Sequence, residues 1–359
     1  MGRRSTAAMA DNHLSEETRM FTEMLSKIIT RKNLDEAQMA SVIAEIFSGG
    51  IADSQVGALM AALATKGETF EELAGAARAM RKKALRIQLA DTTVVDTCGT
   101  GGDGAKTFNI STTTAFVVAG CGVTVAKHGN RSVSSQCGSA DVLEALGVNL
   151  DVDAEIVEEA IGETGIGFLF APKFHGAMKY AMRARQEIGL RSIFNMLGPL
   201  TNPAGANCQL IGVYAPELTE MFAEALLRLG SRKAMIVHGH DGLDEISVCA
   251  ATRVSELADG LVKTYEIHPE RYFDELADPG DLVGGDAETN ADIARGILSG
   301  KTGAARNVVL LNAAAALVVA DRAGTLEDGI DLAGKAIDDG SAARKLDALV
   351  DFTNENASS

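Results

Sequence analysis

Apolar positions in the N-terminal quarter of the chain recur at helical spacing. Met20, Phe21, Met24, Leu25, Ile28 and Ile29 form one stripe, the three-and-four repeat that lines one side of a helix. A second helix is predicted from about Asp35 to Gly49-Gly50, a third from about Ser54 to Lys66, and a fourth from about Phe70 to Leu85. Glycine after a periodic run stops a helix, and Arg81, Lys82 and Lys83 near the fourth end suit its dipole. No strand pattern intervenes, so residues 15–90 read as a small helical domain behind a loose tail over 1–14. Met60, Ala61 and Leu63 exceed what one stripe needs and are expected to face a partner copy.

At Thr93 the pattern changes. Short apolar runs follow: TVVDT, VTVAK, GFLFA, QLIGVYA and KAMIVHG, with helical stretches between them, one from near Ser111 to Gly120 and another over ADVLEALG. Such alternation reads as a mainly parallel sheet wrapped by helices. Beyond Asp241, ISVCAATRVSEL and LVKTYEIH read as antiparallel strands, and from about Thr289 the chain returns to helix. The fold class is therefore α/β: a small N-terminal helical domain, then a larger α/β domain over 91–352 with a C-terminal helical cluster. Residues 353–359 read as a second loose tail. The segment 172–200, helical and rich in Arg and Lys, interrupts the alternation and reads as an excursion back to the helical domain.

Composition narrows the function. At 359 residues the chain suits two unequal domains. Against 33 Lys and Arg stand 49 Asp and Glu, a net charge of −16, so no general basic surface exists to displace counterions from nucleic acid. An anionic ligand needs a locally positive site or a metal ion. Five cysteines, an odd number with no CxxC spacing, argue against a disulfide framework or structural zinc and for reduced thiols in the cytoplasm. The start carries two arginines but no apolar run behind them, unlike a secretory signal. The most apolar stretch, Val308 to Ala320, is too short to span a bilayer.

Three loops carry candidate chemistry, each after a predicted strand. Gly99, Gly101, Gly102 and Asp103 precede a helix start bearing Asn109, Ser111 and Thr112. Glycines allow close backbone approach to an anion, and free N–H groups at a helix start bind one; a tight turn with ordinary capping is the plainer reading. Lys127-His128-Gly129-Asn130-Arg131-Ser132 packs three cation-capable residues into one loop, at a strand end where open sheets bind ligands. Ser134, Ser135 and Ser139 extend its polar run, with Cys137 reading as a bystander. Asp241-Gly242-Leu243-Asp244-Glu245 sets carboxylates side by side, a pattern that suits magnesium or an acidic surface loop. No Ser-His-Asp arrangement can be read from sequence.

Taken in order, DTCGTGGDGAKTFNIST at 96–112, KHGNRSVSSQCGSADVLEALG at 127–147, FNMLGPLTNP at 194–203 and DGLDE at 241–245 resemble the anthranilate phosphoribosyltransferases, from about Glu17 to Phe352. The resemblance implies a homodimer joined through the helical domain, with an active site between the domains. It implies phosphoribosyl pyrophosphate, Mg²⁺ and anthranilate as ligands, and the second step of tryptophan biosynthesis as the reaction. By similarity, Gly99, Gly102, Asp103, Thr107, Asn109, Ile110, Ser111, Thr112, Lys127, His128, Gly129, Asn130, Arg131, Ser132, Val133, Ser134, Ser135 and Ser139 line the phosphoribosyl pyrophosphate site. Gly99, Asn130, Arg185 and His175 match positions near anthranilate, and Ser111, Asp244 and Glu245 match the magnesium-linked positions. No residue is implied as a covalent catalyst. Gly176 stands where the family usually has proline after the histidine, and Gln136 and Cys137 where Lys and Ser are common. A pyrimidine nucleoside phosphorylase of related fold, or a non-catalytic nucleic-acid-binding relative, are the rival readings; DGLDE and the acidic balance speak against them.

Overall fold

Four helices open the chain in the structure, a computed structural model that describes residues 16–132 and 137–357. They are α1 (Glu16–Ile29), α2 (Glu36–Ser48), α3 (Asp53–Lys66) and α4 (Phe70–Lys83). Local chemistry sets their ends. The Asp35 carboxylate accepts from the Gln38 N–H at 2.8 Å while the Gln38 side chain accepts from the Asp35 N–H at 3.2 Å, the reciprocal capping that satisfies free donors at a helix start. Thr69 and Glu72 repeat the device on α4. Glu72 also reaches inward: it is fully buried, accepts from the Leu34 N–H at 2.9 Å and pairs with Lys66 at 2.8 Å. Losing either partner would strand a buried charge, at a cost of about 3–5 kcal/mol.

Seven strands form one sheet: β1 (Val94–Gly99), β2 (Thr124–Gly129), β3 (Ile166–Phe170), β4 (Cys208–Gly212), β5 (Lys233–Gly239), β6 (Thr252–Ala258) and β7 (Leu261–Ile267). Their order is β3-β2-β1-β4-β5-β6-β7. The first five run parallel, and β6 and β7 close the edge as an antiparallel pair. Chain order therefore reverses between β1 and β4, and such a switch point opens a crevice at the strands' C-terminal ends.

The connecting helices are α5 (Ile110–Gly120), α6 (Ser139–Ala145), α7 (Ala154–Thr164), α8 (Ala171–Phe174), α9 (Lys179–Ile188), α10 (Ile193–Met196) and α11 (Leu218–Leu229). After the sheet come α12 (Ala287–Leu298), α13 (Ala304–Val319), α14 (Leu326–Asp338) and α15 (Ser341–Glu355). Strand alternation divides the core in two. Leu210, Met235 and Val237 join α5, α13 and α15 on one face. Ile211, Ala234 and Ile236 join α11 and the four N-terminal helices on the other. The segment 172–200 is broken rather than continuous: α8, a 3-10 turn, α9, α10 and a second 3-10 turn. Ala181 and Ala184 of α9 are buried in the core of the N-terminal helices.

Three expectations need correction. Ile246 to Cys249 is no strand; β6 starts at Thr252. The stretch is a buried loop whose backbone bonds go to side chains. The Ile246 N–H donates to Asn312 Oδ1 at 3.0 Å, its carbonyl accepts from Asn312 Nδ2 at 2.9 Å, and the Ser247 N–H donates to Thr252 Oγ1 at 2.9 Å. The expected tail at 353 begins inside α15, where Thr353 is buried and accepts from the Asn149 N–H at 3.1 Å. Met60 and Leu63, expected to face a partner, are buried within their own lobe. The expected tail over 1–14 lies outside the described residues.

Candidate active site

At the switch point, β1 and β4 both end in glycine. A Cβ on Gly212 would collide with the Asp244 carbonyl, and one on Gly99 would stand 2.8 Å from Asp244 Oδ2. The absence of side chains there lets the acidic loop after β5 settle across both strand ends. Beyond Gly99 the chain turns through Gly101, Gly102 and Gly104 at φ of +66°, +80° and +78°, the left-handed region that glycine enters without strain. The loop is fastened at its far side, where the Phe108 N–H donates to Leu282 at 3.1 Å and Thr107 bridges Val283.

The acidic loop and the glycine loop are stitched together. Asp244 Oδ2 accepts from the Gly101 N–H at 2.9 Å, and the Asp244 N–H donates to Asp103 Oδ2 at 3.4 Å. Glu245 Oε1 accepts from the Ser111 N–H, in the first turn of α5, at 3.0 Å. Burial raises the Asp244 pKa well above the carboxylate range, and repulsion from Asp103 and Glu245 adds to it. Burial likewise pushes Glu245 up to about 8, although Lys127 opposes it. A cation between the carboxylates would relieve that repulsion. Among the described residues no three His, Cys, Asp or Glu groups converge on one metal position. Two carboxylates and the Ser111 hydroxyl fit magnesium, which keeps water and phosphate oxygens in its remaining positions.

Lys127 lies under this site rather than open to it. It is 3 % exposed, and its ammonium donates to the Thr97 carbonyl and to Ser111 Oγ at 3.4 Å. Burial lowers its pKa, with Asp96 acting against that. The next residue joins a buried network: the His128 N–H donates to Asp96 Oδ1 at 3.1 Å, and Asp96 Oδ2 accepts from Asn202 at 2.8 Å. His128 Nδ1 lies 3.0 Å from the Gly198 carbonyl, so the proton belongs on that nitrogen. The His175 ring lies edge-on at 5.0 Å. Burial depresses both histidines, to about 3 for His128 and about 4 for His175, leaving a neutral pair.

The other expected residues divide by environment. Arg131 spends its guanidinium on Asp141 at 3.0 Å and Glu144 at 2.8 Å. The Asn130 carbonyl accepts from Ser139 Oγ at 3.2 Å, and the Ser132 N–H donates to Asp141 at 3.2 Å. Gly129 packs against Ser139 and the Phe168 ring. Asn109 bonds the Cys137 carbonyl at 3.4 Å and accepts from Asn290 at 3.0 Å. Ile110 and Thr112 point into the core, so only their backbone faces the loop. Val133, Ser134 and Ser135, with Gln136, lie outside the described residues. The buried Cys137 thiol has its pKa raised, chiefly by burial, as a bystander should.

Two arginines of the basic run differ in their surroundings. Arg185 on α9 is half-buried, has no ion pair or side-chain hydrogen bond among the described residues, and has its pKa lowered by burial. Arg191, between α9 and α10, was not singled out by sequence. It donates to the Gly102 carbonyl and stacks over Tyr214 at 4.2 Å, and the Tyr214 N–H donates to Thr100 Oγ1 at 3.1 Å. Its one signal was membership of the basic run RARQEIGLRS.

A glycine-rich loop and paired acids meet at the sheet switch point of a two-lobed α/β chain, and comparison with known families makes it a transferase. Residues 91–343 match the glycosyl transferase family a/b domain, and residues 22–84 match that family's helical bundle domain. An anthranilate phosphoribosyltransferase of Desulfosudis oleivorans is 67% identical over 94% of this chain and 100% of its own. The crystal structure of that enzyme from Thermus thermophilus superposes with a TM-score of 0.87 at 41% identity, covering 92% of this chain and 99% of its own. The Saccharomyces cerevisiae enzyme in complex with PRPP and Mg gives 0.86 at 28% identity, covering 96% and 100%. The chain belongs to the anthranilate phosphoribosyltransferase family.

Proposed function

We propose that this protein transfers the phosphoribosyl group of phosphoribosyl pyrophosphate to the amine of anthranilate, the second step of tryptophan biosynthesis. The observation that carries the reading is the stitching of Asp244 and Glu245 onto the Gly101 and Ser111 N–H groups. It joins an anion-binding loop to a cation-binding pair at one point of the sheet. In the reaction the C1′–oxygen bond to pyrophosphate breaks, the nitrogen–C1′ bond forms, and the amine gives up a proton. The leaving group is highly charged and the sugar carbon becomes cationic, so charge stabilisation and alignment are the main requirements.

Magnesium, held by Asp244, Glu245 and the Ser111 hydroxyl, would neutralise pyrophosphate oxygens when bound. The chain's own groups do the rest. The N–H groups of Gly102 and Asp103, next to the Gly101 and Ser111 donors that Asp244 and Glu245 have taken, receive phosphate oxygens. Lys127 fixes the Ser111 hydroxyl and offsets the charge of Glu245. Asn130 and Ser132, with Ser134 and Ser135, hold the ribose phosphate. Arg185, half-buried with no acid of its own, suits the anthranilate carboxylate, with Gly99, Asn130 and His175 around the ring. The neutral histidine pair adds no cation there to compete with Arg185. No covalent nucleophile is needed.

We also infer a homodimer through the helical lobe, supported by the exposed apolar side chains of Tyr180, Met182 and Leu190; light scattering reads the mass directly. No described helix is long and apolar enough to cross a membrane, and the five free cysteines accord with a cytoplasmic setting. The deciding assay mixes the protein with phosphoribosyl pyrophosphate, anthranilate and Mg²⁺ and follows anthranilate fluorescence. Loss that requires all three supports the reading; no loss, with phosphorolysis of a pyrimidine nucleoside in its place, overturns it.

A further inference from the structure

Cations of α4 and of the irregular segment between α4 and β1 gather where the proposed reaction does not reach. A cleft of about 420 Å³ is lined by Arg78, Arg81, Lys82, Arg86 and Leu229, and no carboxylate is among its walls. Leu229 ends α11 just ahead of β5, and Leu200, which Arg81 grips, precedes β4. The cleft thus borders the N-terminal side of the sheet, whereas the glycine and acidic loops occupy the C-terminal ends.

Cations in the last turn of a helix answer its dipole, an effect that fades within that turn. This accounts for Arg81 and Lys82. It does not account for Arg86, since α4 stops at Lys83 and Ala84 is already extended. Two of the guanidinium groups are fixed in place. Arg78 donates to Glu36 at 2.6 Å and to the Arg228 carbonyl at 3.1 Å. Arg81 donates to the Leu200 carbonyl at 2.7 Å and the Leu229 carbonyl at 3.3 Å. Those carbonyls orient Arg81 without neutralising it. Burial lowers its pKa to about 10, and repulsion from Arg86 and Arg78 adds to that. Lys82 and Arg86 are exposed and form no ion pair among the described residues. In a chain of net charge −16, a concave site where Arg81, Lys82 and Arg86 carry no ion pair among the described residues, beside Arg78 paired with Glu36, is a specific arrangement.

We propose that this cleft is a second anion site, taking a compact multivalent oxyanion at the seam between the helical lobe and the sheet. Phosphates and polycarboxylates share the required chemistry: several charged oxygens that accept from planar, forked guanidinium donors. The seam is real in the backbone: just past α4, the Leu85 N–H donates to Phe174 at 2.9 Å and the Ile87 N–H to Pro203 at 3.4 Å. A bound anion bridges α4, of the helical lobe, to the end of α11, of the α/β lobe, at that link. The site stands whether or not the proposed reaction holds.

The test is calorimetric titration of the full chain with inorganic pyrophosphate and, separately, citrate, in about 0.15 M salt, where exposed charges are screened beyond about 8 Å. Three forms are compared: the native chain, Lys82→Glu/Arg86→Glu, and Asp244→Asn/Glu245→Gln. Circular dichroism checks that each is folded. Binding of at least one probe is expected, about tenfold or more weaker in Lys82→Glu/Arg86→Glu and retained in the acidic-loop variant. The probe bound more tightly identifies the class of oxyanion. The proposal is overturned if neither probe binds, if charge reversal at Lys82 and Arg86 leaves the affinity unchanged, or if only the acidic-loop variant loses binding.

Discussion

Arg191 donates to the Gly102 carbonyl while its guanidinium lies over the Tyr214 ring at 4.2 Å. The crown of the glycine loop is thereby held from the segment that follows Arg185. Arg191→Ala is expected to raise the KM for phosphoribosyl pyrophosphate about tenfold, since a hydrogen bond from a charged group contributes ~1.5–3 kcal/mol. Stability should hardly change, because the side chain is exposed. Lysine should rescue in part, keeping a donor but losing the stack. An unchanged KM in steady-state kinetics would remove Arg191 from the site.

Gly102→Val should weaken phosphoribosyl pyrophosphate binding far more than folding. At φ +80° the new side chain is strained by about 1–2 kcal/mol, and its Cβ meets the movable end of Arg191. Gly212→Ala should do the reverse, because its Cβ meets the Asp244 backbone, which cannot step aside. Calorimetry paired with thermal melting separates the two.

Asp244→Asn and Glu245→Gln should each cut turnover sharply at near-constant volume, with secondary structure intact. The loss should deepen as magnesium is lowered, because each change removes one anionic ligand. A double variant that keeps full activity at limiting magnesium would take the metal role from the pair.

For Arg185→Ala, the KM for anthranilate should rise about tenfold to a hundredfold, again on the scale of a charged hydrogen bond. The KM for phosphoribosyl pyrophosphate should move much less. Equal weakening of both substrates points to a folding or closure defect.

The buried histidines predict an acid limit. His128 and His175 take protons in the folded state only near 3 and 4, below the ordinary 6.5. The unfolded chain therefore binds protons first as pH falls. Their contribution is complete above about pH 6.5 and shrinks toward pH 4, by up to about 1.4 kcal/mol per unit for each ring. Denaturant midpoints for the native chain and His175→Gln across that range check it. The variant should show the shallower decline, and parallel curves would clear His175 of any part.

Much of this was legible because period and position agree. TVVDT, VTVAK and KAMIVHG are short apolar runs closed by glycine or polar loops, and each became a parallel strand with its loop at the active end. What stayed hidden depends on partners distant in sequence. Nothing near Ile246 announces that Asn312 will satisfy its backbone, so β-branched residues there mimic a strand. Arg131 reads as a free cation until α6 brings Asp141 and Glu144 beside it. Lys127 reads as solvent-facing until the strands on either side of β2 close over it. Arg191 needs the fold to meet Gly102 at all.

The Asn312 amide has a bearing on when the enzyme becomes competent during synthesis. It grips both backbone groups of the residue just after Glu245, yet it sits in the middle of α13. A nascent chain that has emerged through β7 already carries the glycine loop, the Lys127–Ser132 segment and both acids. It still lacks the clamp that aims those acids, and the last helices on the ribosome supply it. The C-terminal cluster, whose Asn290 also donates to Asn109, thus sets the final moment at which the two acids can be brought into register.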